Sequence, residues 1–146
     1  MFVLLVHGSR DRRWRDSVEN LAESLRRDLQ RDDPERPGVG LAYLQFATPT
    51  LVDVVSKAVR AGEQRIRVLP LFLTGEGHVH RDIGPLMDRL HAAYPTIDLK
   101  LLPPVGRYPQ FVGLLRTIAT AENGQPASSE ADAVDRPDDP GADRGS

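Results

Sequence analysis

Two short segments hold most of the residues that could do chemistry near neutral pH. His7-Gly-Ser-Arg-Asp11 follows one apolar run, and Gly75-Glu-Gly-His78-Val-His80-Arg-Asp82 follows another. Imidazole titrates near neutrality and binds borderline divalent ions reversibly, so a pair of such histidines suits proton transfer, metal handling or both. The chain has no cysteine. That excludes a disulfide framework and a thiolate site, and leaves any metal to His, Asp, Glu and oxygen ligands. Gly8, Gly75 and Gly77 each let another group come close to the backbone beside a histidine. A loop histidine also serves as a solvated or backbone-bonded side chain, and for His80 and His91 that plainer reading is preferred.

Other candidates around these segments carry less. Gly75-Glu-Gly77, after a strand and before a helix, could cradle a phosphate. It lacks both the Gly-x-Gly-x-x-Gly pattern and the Gly-Lys-Ser/Thr ending of a phosphate loop. Ser9 does not sit in a Gly-x-Ser-x-Gly elbow, which argues against a hydrolase nucleophile. Arg10, Arg12, Arg13 and Arg81 could pair with substrate carboxylates bidentately, or form a solvated basic rim.

The elements that must position these residues alternate in type. Phe2–Val6 is a continuous apolar run, as for a strand covered on both faces. Trp14, Val18, Leu21, Ala22, Leu25 and Leu29 recur at helical spacing. A second strand is expected over 39–46. Thr48-Pro49 reads as a helix start, with Leu51, Val52, Val55 and Val59 as its apolar face. A third strand covers 65–73, and Asp82 caps a third helix that turns Ile83, Leu86 and Leu90 inward. A fourth strand at 97–102 and a last helix at 109–120 complete βαβαβαβα. That order predicts an α/β domain of flavodoxin-like type, a four-stranded parallel sheet with helices on both faces. In such sheets ligands bind beyond the carboxyl ends of the strands, where the strand order reverses. An order of 2-1-3-4 would open the His7 and His78 loops onto one crevice.

Charge divides the chain. The formal net charge is −2, and residues 121–146 carry seven acids and two bases, a net of −5, so residues 1–120 carry −2 − (−5) = +3. The terminal stretch has one β-branched residue and no aromatic, too little apolar area to offset its ordering, and is expected to be a disordered acidic tail. Residues 1–120 form the expected domain. Its mild basic excess suits an anionic small molecule and is too small to imply nucleic acid. The apolar run at Phe2–Val6 is too short for a signal-peptide core or a membrane span, so a cytoplasmic protein with no membrane partner is expected.

Three segments in order, Val-His-Gly-Ser-Arg-Asp at 6–11, Leu-Gln-Phe-Ala-Thr-Pro-Thr-Leu at 44–51 and Pro-Leu-Phe-Leu-Thr-Gly-Glu-Gly-His-Val-His-Arg-Asp-Ile at 70–83, resemble the sirohydrochlorin chelatases of the short CbiX/SirB type, within the class II chelatase family. The resemblance covers about residues 2–118. It implies a chelatase-like α/β fold, a homodimer, and insertion of Co²⁺ or Fe²⁺ (Ni²⁺ in some relatives) into the tetrapyrrole sirohydrochlorin, on the routes to cobalamin and siroheme. The ion is then a substrate, and no organic cofactor is implied. The family's two motif histidines fall on His7 and His78, implied as metal ligands and as the groups that take the pyrrole protons. Sirohydrochlorin's eight carboxylates would suit Arg10, Arg13 and Arg81, while Ser9, Gln45, Gly77, Val79 and Phe72 would line the substrate. Gln45 stands where the family often has a glutamate. Its amide can coordinate weakly but cannot act as a base, which leaves open a non-catalytic member that binds a tetrapyrrole or hands over metal. Glu76 could supply a carboxylate instead. A phosphate- or nucleotide-binding domain is the remaining alternative.

Overall fold

The computed structural model describes residues 1–33, 38–73 and 78–121, with the backbone alone at 78–80. The expected acidic tail, Ala121 apart, lies outside these residues. Four strands, β1 (Phe2–Val6), β2 (Val39–Tyr43), β3 (Arg65–Pro70) and β4 (Asp98–Leu101), form one parallel sheet in the order β2-β1-β3-β4. Four helices alternate with them: α1 (Arg12–Asp32), α2 (Leu51–Arg60), α3 (His78–Ala93) and α4 (Pro109–Thr120). Met1–Val112 form one compact unit, and the described residues from Gly113 onward fall outside it, so the division lies inside α4.

β1 lies between β2 and β3, and all five of its residues are apolar. Val3 and Leu5 turn to one face, where Val54, Val55 and Ala58 of α2 and Ile83, Met87 and Leu90 of α3 cover them together with Ile66, Val68 and Leu99. Leu4 turns to the other face with Val39 and the buried Ala22 of α1. Each fully buried aliphatic side chain here contributes about 1.5–3 kcal/mol. The expected layering is thus present, with helices on both faces of the sheet.

Several element boundaries differ from the sequence reading, each for a local reason. α2 does not start at Thr48-Pro49, whose peptide bond is cis; its cap is Thr50. The Thr50 hydroxyl accepts from the Asp53 N–H, and the Asp53 carboxylate accepts the Thr50 N–H at 2.8 Å, a reciprocal capping box. With that start Val54 and Ala58 join Leu51 and Val55 in the core, and Val52 points outward. α3 begins at His78 rather than after Asp82, so His78 and His80 lie in its first turn and not on a loop. Asp82 and Pro85 are both residues typical of helix starts, which made the later start look natural. On α1, Ala22 with the half-buried Val18, Leu25 and Leu29 forms the inward stripe, while Trp14 and Leu21 flank it and are exposed. β2, β3 and β4 are also shorter than expected, and β2 and β3 end at Tyr43 and Pro70.

Polar contacts hold both outer strands. At the β2 edge, the Arg26 Nη2 donates to the Val39 carbonyl at 2.9 Å and the Tyr43 N–H donates to the Pro49 carbonyl at 2.9 Å. At β4, Arg67 donates to the Asp98 carbonyl at 2.8 Å and to its carboxylate at 2.5 Å, with Arg65 at 3.5 Å. His91 Nε2 lies 2.9 Å from the Leu99 carbonyl, the backbone-bonded role expected of it.

Two measurements follow from these contacts. Ile66 is fully buried at the centre of the larger core, so Ile66→Ala lowers unfolding free energy by about 2–5 kcal/mol in denaturant melts with an unchanged m-value. The Arg67 hydrogen bond holds the Asp98 carboxyl below its ordinary 3.8. A carboxyl depressed in the folded state stabilises fully above its unfolded value, and that stabilisation is lost as pH falls through the folded value. Asp98→Asn therefore lowers the melting temperature above about pH 4 and flattens its fall at more acidic pH, read by thermal melts from pH 2 to 7.

Candidate functional site

The strand order puts β1 and β3 side by side at the switch point, so the segments following Val6 and Pro70 are neighbours. His7 is the first exposed residue after the buried Val6. What holds it there is the segment after β2. The pairing of β1 with β2 runs on past the strands: the Leu44 N–H donates to the Val6 carbonyl at 2.9 Å and the Gln45 N–H to the His7 carbonyl at 3.0 Å. Gly8 makes this possible. Its φ is +98°, a region that L side chains rarely adopt, and a Cβ there would overlap the Gln45 carbonyl oxygen. The close approach expected at Gly8 is made by the chain's own backbone.

The imidazole of His7 is fixed on two sides. Gln45 Nε2 lies 2.9 Å from its Nδ1, and the Phe72 ring meets it nearly edge-on, with centroids 5.7 Å apart and planes at 71°. Among the described residues its Nε2 has no protein partner. The roles across the Gln45 bond depend on which nitrogen carries the proton. With the amide N–H facing the ring, Nδ1 accepts and Nε2 carries the proton. With the amide turned so that Oε1 accepts from Nδ1–H, the lone pair at Nε2 is open to a metal ion or a proton. An amide can serve both states, whereas a carboxylate can only accept.

The other expected residues are distributed around this centre. Ser9 Oγ accepts the Asp11 N–H at 3.1 Å, and the Asp11 carboxylate accepts the Arg13 N–H at 2.9 Å to cap α1, so both shape the turn. Arg10 lies over the Phe46 ring, 5.3 Å from its centroid. Arg13 is almost fully exposed, with Asp11 3.8 Å away, and Arg81 is exposed on α3. The structure thus brings His7, Gln45 and Phe72 together and sets Arg10 against Phe46, the residue after Gln45. The backbone of His78 and Val79 opens α3, on the segment that follows β3. Their side chains, with Glu76 and Gly77, lie outside the described residues. Among the described residues no three His, Cys, Asp or Glu side chains form a metal-binding group, and no helix is long and apolar enough to cross a membrane.

Two residues close to Gln45 in the chain had no sequence signal. Tyr43, buried at the end of β2, donates to Glu19 at 2.9 Å; burial and that bond push its phenol up to about 12, so it stays a neutral donor. Phe46 has a φ of +62° and is 57% exposed. No spacing or composition marks a phenylalanine for a left-handed backbone.

Known proteins share this fold and much of this sequence. A sirohydrochlorin cobaltochelatase of Sulfolobus acidocaldarius is 26% identical over 114 residues, 78% of this chain and 85% of that one. A sirohydrochlorin ferrochelatase of Priestia megaterium is 25% identical over 109 residues, and the match spans 75% of this chain but only 39% of that protein's length. Among solved structures, one from Marinobacter aquaeolei VT8, described as a CbiX protein of cobalamin (vitamin B12) biosynthesis, superposes with a TM-score of 0.67 at 30% identity, covering 81% of this chain and 92% of the other. The CbiX family model matches residues 1–121, essentially everything before the acidic stretch, and the chain belongs to that family.

Proposed function

We propose that this chain inserts a divalent ion into sirohydrochlorin, with Co²⁺ or Fe²⁺ as the metal substrate, Ni²⁺ as a further candidate, and no organic cofactor. The observation that carries this reading is the exposed His7 at the switch point, its ring fixed by Gln45 and Phe72 and its Nε2 left without a protein partner among the described residues. The activities that the Sulfolobus and Priestia relatives are named for support it. Charge balances in the reaction: one M²⁺ enters the macrocycle and two pyrrole N–H protons leave.

A neutral imidazole fits both halves of that exchange, as a borderline ligand for the arriving ion and as a proton acceptor near neutral pH. In this proposal His7 and His78 share those tasks. Gln45 orients His7 through Nδ1, and Arg10, Arg13 and Arg81 face the substrate's carboxylates, with Ser9, Gly77 and Val79 lining it. The protein acts in the cytoplasm as a homodimer, which sedimentation equilibrium tests directly. Residues 1–120 are the acting domain, and removing 121–146 leaves the metalation rate unchanged.

The decisive experiment follows the absorption spectrum of sirohydrochlorin anaerobically with each metal. Wild type accelerates metalation above the uncatalysed rate, and His7→Ala and His78→Ala each lose about 100-fold or more of that acceleration. Partners that orient a ligating histidine typically matter about 10–100-fold, so Gln45→Ala slows metalation at least about tenfold. Gln45→Glu, which holds Nδ1–H and raises the ring's basicity, speeds it. A second reading rests on Gln45 itself: without the family's carboxylate, the chain binds the tetrapyrrole and does not turn it over. Spectral binding with no rate above the uncatalysed control, restored by Gln45→Glu, selects that reading. No binding by wild type overturns both.

A further inference from the structure

Phe46 combines features that the stability of the fold does not explain. Its backbone is left-handed, with φ +62°, a conformation disfavoured for any residue with a bulky side chain. The loop after β2 does need a reversal, since the Tyr43 N–H returns to the Pro49 carbonyl. Glycine or asparagine would make that reversal with less strain. Phe46 is 57% exposed, so burial offsets only part of the cost. Strain retained without a packing return is a feature of binding sites.

The surroundings say what the ring would bind. The Arg10 guanidinium carbon lies over it, 5.3 Å from the ring centroid, and Phe46 directly follows Gln45, whose backbone and side chain both bond His7. A phenyl ring offers an apolar face to a flat conjugated ligand. A guanidinium resting on that ring is positioned with N–H edges free for a carboxylate. The two groups therefore recognise an aromatic plane with an acid at its rim. We propose that Phe46 is the stacking platform for the tetrapyrrole, with Arg10 held against it to take a peripheral carboxylate. This assignment rests on the chelatase reading and adds to it the residue that sets the macrocycle's plane relative to His7. The same loop that orients the imidazole carries the platform, so ring plane and metal ligand are placed together.

The test measures binding of metal-free sirohydrochlorin by absorption titration, metalation kinetics and melting temperature on the same proteins. Phe46→Ala and Phe46→Asn raise Kd and KM about five- to tenfold, the usual loss when a stacking aromatic is removed, while Phe46→Trp binds as tightly as wild type. Phe46→Asn also raises the melting temperature, because asparagine tolerates the left-handed backbone. A merely structural Phe46 gives no such opposition between stability and binding. Arg10→Ala weakens binding in wild type and has a smaller effect in the Phe46→Ala background, as expected of coupled neighbours. Wild-type binding that is unchanged in Phe46→Ala and Phe46→Asn overturns the Phe46 assignment alone. Wild type that binds no sirohydrochlorin overturns the chelatase reading and this assignment with it.

Discussion

The site depends on one close approach, the Gln45 carbonyl oxygen lying where a side chain on residue 8 would otherwise be. Only glycine leaves that space, and only a residue free of Cβ strain takes φ +98° there readily. Because the two segments touch, the pairing of β1 with β2 continues beyond the strands, and Gln45 is delivered to both the carbonyl and the ring of His7. The imidazole is therefore oriented by backbone geometry before any ligand arrives. Pre-organisation of this kind removes the ordering cost that binding would otherwise carry.

Core and rim divide the tasks. Behind His7 lies β1, whose side chains from Val3 to Val6 are all buried, with α2 and α3 packed on one side and α1 on the other. Ahead of it lie Arg10, Phe46 and Leu73, all exposed. Gly106 repeats the device of Gly8 at the next loop: a Cβ there would overlap the Leu73 carbonyl, and its N–H donates to the Phe72 carbonyl at 3.3 Å. The two glycines keep loops from all four strand ends in paired contact, β1 with β2 and β4 with β3. Phe72 is thereby held by the segment after β4 on one side while its ring meets His7 on the other.

Much of the fold was legible because its signals are local and repeat. Continuous apolar runs marked the strands, helical spacing marked α1 and α2, and the alternation of the two implied a parallel sheet whose order places His7 beside the segment carrying His78. What was misread involved competition between equally plausible local signals. Thr48-Pro49 and Thr50 both offer a helix start, and the reciprocal bonds of Thr50 with Asp53 decide it. Asp82 competes with a start at His78 in the same way. The site was legible in its residue types, His7, Gln45 and Arg10, and not in its contacts. That Gln45 bonds His7, or that Arg10 lies on Phe46, depends on a backbone approach between residues far apart in the chain, which composition and spacing do not encode.

The Arg26 guanidinium on the Val39 carbonyl has a consequence for assembly. An outer strand with open backbone groups is a template on which other chains add, in ordered pairing or in aggregates. On β2 one outward carbonyl is covered by Arg26, and the outward N–H of Tyr43 is already returned to Pro49. Three residues or fewer remain between these two blocks, too short a run for a stable added strand. The sheet is closed to extension on that side, and copies of this chain that associate there must do so through side chains rather than through continuous backbone pairing.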